Sequence, residues 1–122
     1  MARILVVDDS IVVRRMLGLI LERAGHEVTF AVDGQEGLRA AAGLGPDLLI
    51  TDLEMPLLDG IGLVRALRAD QALAAIPVVL LTASGEEAHH RAADDVEVDG
   101  FATKPIRSNE LVELVGELLG GR

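Results

Sequence analysis

Short apolar runs alternate with longer stretches of helical spacing along the chain. The runs are Ile4–Val7, Val28–Val32, Leu48–Thr51, Val78–Leu81 and Gly100–Thr103. Each is rich in residues that suit a strand, and the pattern between them is the mark of a parallel α/β sheet. The first, third and fourth runs are almost unbroken in apolar character, which fits strands covered on both faces. Ser10 is placed to cap a first helix running to about Ala24, with Gly25 stopping it. Its inward stripe reads Val13, Met16, Leu17, Ile20 and Ala24. Asp33 and Glu36 have capping-box spacing for a second helix reaching Gly43. A third follows the turn LLDG at 57–60, with Leu63, Val64 and Leu67 turned inward. A fourth, EEAHHRAADD at 86–95, has only alanines to bury, and its weak apolar face predicts mobility. The fifth starts from Ser108 and carries Leu111, Leu114, Val115 and Leu118 at helical spacing. The expected architecture is (βα)5, an α/β fold whose right-handed crossovers give a doubly wound, five-stranded parallel sheet.

The chain's 122 residues suit one domain, and half of them are apolar, enough for a closed core. Phe30 and Phe101 are the only aromatics, so that core must be aliphatic. The absence of cysteine removes disulfides and thiolate metal sites and suits a reducing cytoplasm, the expected location. A net charge of -9 argues against direct nucleic-acid binding and against anionic membranes. The apolar run in MARILVVDD is too short for a signal peptide or a spanning helix.

Polar residues gather where the runs end. The first strand gives way to Asp8 and Asp9, the third to Asp52, the fourth to Thr82 and the fifth to Lys104. A doubly wound sheet places these ends on one rim, where such folds hold ligands. Adjacent carboxylates repel; at ~4 Å and an effective dielectric of ~20 the cost is on the order of 4 kcal/mol. Three carboxylates without a thiolate or a nearby histidine suit a hard cation such as Mg²⁺, which would keep all of them ionised. Taken alone, Asp8 and Asp9 read equally as a helix cap and a solvated carboxylate; Asp52, Thr82 and Lys104 on the same rim favour the cation. Pro105 after Lys104 raises the chance of a cis bond that re-aims the lysine into the rim. His89 and His90 point about 100° apart on a helix and share no site.

Four motifs carry a family resemblance: ILVVDDS, DLLITDLEMPLLDG, VVLLTAS and DGFATKP. In this order and spacing they resemble the receiver domain of two-component response regulators, the chemotaxis-type single-domain fold, over essentially the whole chain. The resemblance implies one receiver domain over residues 1–122, flavodoxin-like, with strand order 2-1-3-4-5. It implies Asp52 as phosphoacceptor for a phosphohistidine on a sensor histidine kinase or histidine phosphotransfer protein. It implies Mg²⁺ (Mn²⁺ as a substitute) on Asp8, Asp9, Asp52 and the backbone carbonyl of Glu54. Lys104, the Thr82 hydroxyl and the Ala83 amide would bind the phosphoryl group. Thr82 and Phe101 would be the switch pair, carrying the change to the surface of the fourth helix, fifth strand and fifth helix, where a downstream protein binds or a phosphorylation-dependent dimer forms.

Such a chain is a signalling module rather than an enzyme, though it assists its own phosphorylation and slow self-dephosphorylation. Glu54 and Ser84 flank the hydrolytic water's path, and the expectation is slowed decay of the phosphoryl group. Ile11 and Val12, apolar beside the acidic rim, suit kinase docking. Leu19 is a further apolar residue outside the first helix's inward stripe, and Val112, Gly116 and Leu119 form a second stripe on the fifth helix. With Met1 just before the first strand, the chain reads as a stand-alone or N-terminal receiver. The rival readings are an aspartyl-phosphate hydrolase, which would carry a DxD nucleophile after its first strand, and a receiver working without phosphorylation.

Overall fold

A computed structural model describes residues 2–53, 55, 58–82 and 98–120. Five strands, β1 (Arg3–Val7), β2 (Glu27–Ala31), β3 (Leu48–Asp52), β4 (Val78–Thr82) and β5 (Gly100–Thr103), form one sheet in the order β2-β1-β3-β4-β5, every pair parallel. This is the expected doubly wound, flavodoxin-like topology. The described helices are α1 (Ile11–Arg23), α2 (Gly34–Leu44), α3 (Gly60–Ala69) and the C-terminal α4 (Ser108–Gly120). The helix expected over 86–95, with His89 and His90, lies outside the described residues, as do Glu54, Ala83 and Ser84.

Alternation along the central strands builds two cores. Leu5, Val7, Leu49, Val78 and Leu80 meet α2 and α3 through Ala41, Leu63, Val64 and Leu67. Ile4, Val6, Leu48, Ile50, Val79 and Leu81 meet α1 and α4 through Leu17, Leu21, Leu111 and Val115. Each fully buried Leu or Ile contributes roughly 1.5–3 kcal/mol of transfer free energy. The fully buried residues of these cores are all aliphatic; Phe101 packs partly buried against the first core, and Phe30 remains 40% exposed.

Local signals set the element ends. The Ser10 hydroxyl accepts from the Val13 amide at 3.3 Å, capping α1, and Gly25 follows its end at a φ of 94° that only glycine adopts freely. Asp33 accepts from the Glu36 amide at 2.8 Å, while Glu36 reaches back to the Val32 amide at 3.3 Å, one residue before the usual capping-box partner. The α1 stripe matches expectation at Leu17, which is buried, and at Val13 and Ile20, which pack partly buried against the core, but not at Ala24. Leu17, Gly18 and Leu21 are its buried residues and Ala24 is exposed. Phe30 lies so close over Gly18 that a Cβ there would be 2.6 Å from its ring.

Candidate functional site

The parallel strands bring their carboxyl ends to one rim, and the register decides which residues meet there. Asp8 follows β1, Asp52 closes β3, Thr82 closes β4 and Lys104 follows β5. Thr82 pairs with Thr103, and the Lys104 amide donates to the Thr82 carbonyl at 2.8 Å, which holds the lysine over the sheet's edge. The Lys104–Pro105 bond is cis. The Lys104 ammonium lies 3.2 Å from Asp52 Oδ1 and 3.6 Å from Asp8 Oδ2.

Asp8 is wholly buried and Asp9 is exposed. The Ser10 amide donates to Asp8 Oδ1 at 2.8 Å and the Arg14 guanidinium to the Asp8 carbonyl at 2.7 Å. Among the described residues, the other carboxylate oxygen of Asp8, Oδ2, is buried without a hydrogen-bond partner and has the ion pair with Lys104. Carboxylate oxygens of Asp8, Asp9 and Asp52 lie within 4.8 Å of one another. A buried acceptor left without a donor costs free energy unless a cation or water meets it. Three hard oxygen donors around such an atom fit Mg²⁺ by both charge and chemistry.

The electrostatics agree with that tension. Burial pushes the Asp52 carboxyl above its ordinary value and the Asp8 charge adds to this; Lys104 pulls the other way without cancelling it. Burial lowers the Lys104 ammonium, but Asp52 and Asp8 beside it outweigh this, and its pKa lies above the ordinary lysine value.

Thr82 is fully buried, and Phe101 packs half-buried against the core shared with α2 and α3. Phe101 pairs with Leu80, so its side chain lies on the same sheet face as Thr82, one step away along the neighbouring strand. Ile11 is 53% and Val12 71% exposed at the start of α1, beside the acidic rim. Leu19 and Val112 are also exposed. The Glu54 carbonyl and the Ala83 amide, expected at this rim, lie outside the described residues.

Three contributors were not legible in the sequence. Arg14 holds the carbonyl of Asp8, Thr51 donates to the carbonyl of Asp52 at 3.0 Å, and Gly60 lies against that same carbonyl. Each acts on a main-chain oxygen, which every residue carries, so no residue-type pattern marks it. The glycine had one signal: it closes the turn LLDG ahead of α3.

Fold and rim together define a flavodoxin-like α/β domain with an acidic, lysine-bearing crevice at its carboxyl edge. The family described as response regulator receiver domain matches residues 4–116, and the chain belongs to that family. It is 39% identical over 119 residues to the DNA-binding dual master transcriptional regulator RpaA of Synechocystis sp., covering 98% of this chain and 49% of that protein. Over 121 residues it is 34% identical to protein PilH of Pseudomonas aeruginosa, covering 99% of this chain and 100% of PilH. The chain thus spans about half the length of the transcriptional regulators it matches, and the full length of PilH. Its fold superposes on chemotaxis protein CheY4 of Vibrio cholerae with a TM-score of 0.91 at 33% identity, covering 98% of this chain and 99% of that one. A TM-score of 0.91 at 26% identity, covering 98% of each chain, relates it to the receiver domain of sensor histidine kinase PA1611 from Pseudomonas aeruginosa, solved with a magnesium ion coordinated in its active site cleft. The family is one of signalling domains, and its members generally hold Mg²⁺ at an acidic site. Among the described residues no helix is long and apolar enough to cross a membrane.

Proposed function

We propose that residues 1–122 act as one receiver domain that takes a phosphoryl group onto Asp52 from a phosphohistidine of a histidine kinase or phosphotransfer protein in the cytoplasm. The observation that carries this reading is the buried Oδ2 of Asp8, which has no hydrogen bond among the described residues, in a cluster with Asp9 and Asp52 and facing Lys104. Asp8, Asp9 and Asp52, with the carbonyl of Glu54, would hold Mg²⁺. What the cation supplies when bound is neutralisation of charge on the phosphoryl oxygens; Mn²⁺ offers the same chemistry.

The chain's own residues do the rest. A carboxylate oxygen of Asp52 attacks phosphorus, the P–N bond breaks, and the imidazole of the donor leaves with the electron pair. The product is an acyl phosphate on Asp52. The Lys104 ammonium exchanges its contact with the Asp52 carboxylate for one with a phosphoryl oxygen. The Thr82 hydroxyl and the Ala83 amide donate to the others. The new group adds ~1.5–2 negative charges and three strong acceptors, so the Thr82 hydroxyl moves toward it and Phe101 fills the space left. That change reaches β5 and α4, the described part of the surface expected to include the fourth helix, where a target protein or a second copy would bind. Ile11 and Val12 are the docking residues for the phosphodonor, supported by their exposure beside the rim. Water slowly hydrolyses the acyl phosphate, with Glu54 slowing it further; faster decay in wild type than in Glu54→Ala would count against that role.

The test is intact-mass spectrometry after incubation with acetyl phosphate, with and without Mg²⁺, on wild type and Asp52→Ala. One Mg²⁺-dependent phosphoryl adduct, absent from the variant, is the expected result. An adduct that persists in Asp52→Ala would move the acceptor elsewhere. No adduct despite Mg²⁺ binding would favour a receiver switched by something other than phosphate.

A further inference from the structure

The middle strand of the sheet contains a hydroxyl where packing alone asks for a hydrocarbon. Thr51 is fully buried in β3, in register with Val7 on β1 and Leu80 on β4, both also fully buried. Its side chain falls on the sheet face covered by α2 and α3, among Val7, Leu49 and Leu80. A valine has nearly the same shape and needs no hydrogen bond there, whereas a hydroxyl in such surroundings is costly unless paired.

The pairing it has is specific. Thr51 Oγ1 donates to the main-chain oxygen of Asp52 at 3.0 Å. That same oxygen faces the first residue of α3: a Cβ on Gly60 would lie 2.3 Å from it. The Gly60 amide in turn donates to the carbonyl of Leu53 at 2.9 Å, and the Leu53 amide donates to Leu81 at 3.1 Å. Both carbonyls bordering the Asp52–Leu53 link are therefore held, one by the threonine hydroxyl within the strand and one by the start of α3. This link joins the Asp52 carboxylate to the chain leading to residue 54. A rotation of that peptide would displace the carboxylate from Asp8 and Asp9 and re-aim the backbone that follows.

We propose that Thr51 is a positioning residue of the cation site: its hydroxyl fixes the Asp52–Leu53 peptide and so holds the Asp52 carboxylate in register with Asp8 and Asp9. The proposal rests on the reading of that cluster as a Mg²⁺ site. Outer partners that orient a ligand typically change metal affinity by about 10–100-fold when removed, and Thr51 stands to the Asp52 backbone as such a partner.

Titration calorimetry with MgCl₂ tests it, since the chain has no tryptophan or tyrosine to report binding by fluorescence. Wild type, Thr51→Val and Thr51→Ser are compared, each also melted in EDTA. In Thr51→Val the metal-free protein melts at or above the wild-type temperature, because a buried hydroxyl has been replaced by a methyl. Its Mg²⁺ affinity falls about tenfold. Thr51→Ser restores most of the affinity despite a smaller side chain and a lower melting temperature. Unchanged affinity in Thr51→Val overturns the proposal, as does a Thr51→Ser variant that binds no better than Thr51→Val, since volume would then be the cause. Absence of Mg²⁺ binding by wild type overturns the reading of the site itself, and the role of Thr51 with it.

Discussion

Replacing Asp52 by asparagine keeps the shape of the side chain and removes its charge, so it measures how far the acidic cluster strains the metal-free fold. Asp8 is fully buried and Asp52 8% exposed, and their carboxylate oxygens lie within 4.8 Å. With an effective dielectric of about 20, that pair repels by roughly 3–4 kcal/mol. Asp9 is exposed, and its share is screened to a few tenths of a kcal/mol. Against this stands Lys104 at 3.2 Å, worth roughly 5 kcal/mol before screening and about half of that for a side chain 29% exposed. Burial of the carboxylate adds to the repulsive side. The balance is a destabilisation of about 1 kcal/mol, in the direction given by the raised Asp52 pKa. Asp52→Asn is therefore expected to melt about 3–5 °C above wild type in EDTA at pH 7.5 and low salt. The sign of the pH dependence follows. The folded-state pKa of Asp52 is raised above the ordinary aspartate value of 3.8. The native state then binds more protons than the unfolded chain between the two values, and wild-type stability falls as pH rises through that window. Asp52→Asn flattens this fall. Added Mg²⁺ raises the wild-type melting temperature; a tenfold excess over Kd contributes about 1.4 kcal/mol. The assay is far-ultraviolet circular dichroism during heating, for both proteins with EDTA and with MgCl₂. A metal-free Asp52→Asn that melts below wild type would refute the reasoning, because the Lys104 pair would then outweigh the carboxylate repulsion.

Gly60→Ala would place a methyl 2.3 Å from the Asp52 carbonyl, so α3 must shift; a loss of about 1–3 kcal/mol in urea denaturation is expected, with weaker Mg²⁺ binding by calorimetry. Arg68 donates to the carbonyls of Ala74 and Ile76 at 2.9 and 2.7 Å and pairs with Asp99 at 3.1 Å, tying the end of α3 to the starts of β4 and β5. Arg68→Ala is expected to cost about 1–3 kcal/mol, mostly through the two carbonyls left unpaired, and to leave Mg²⁺ affinity unchanged because the contact is at the opposite edge of the sheet. His26 has a pKa below 6.5, from burial first and then from the positive amino terminus, and its Nδ1 accepts from the Ala2 amide at 3.3 Å. Its contribution is complete above the unfolded value and is lost as pH falls through the folded one. An NMR titration should place the His26 midpoint below 6.5, and one at or above it would contradict the burial argument.

Much of this protein was determined by its sequence. Apolar runs of strand length separated by helical spacing specify five parallel strands, because each pattern has one secondary structure that buries it. Capping residues such as Ser10 and Asp33 set helix starts to within a residue, since their hydrogen bonds are local. The polar residues Asp8, Asp52, Thr82 and Lys104 were legible as one rim because a doubly wound sheet aligns all its strand ends. Where neighbours come from distant parts of the chain, tertiary structure decided instead. The ring of Phe30 lies over Gly18, a contact between different elements that helical periodicity does not contain. The bonds of Arg14 and Thr51 end on main-chain oxygens and leave no trace in residue type. Lys104 reaches both Asp8 and Asp52 only because β5 is parallel to β4 at one register; a shift of one residue would turn its side chain to the other face. Residue types determined which groups this rim carries, while packing across the sheet decided that one oxygen of Asp8 is buried beside Lys104 with no hydrogen bond among the described residues.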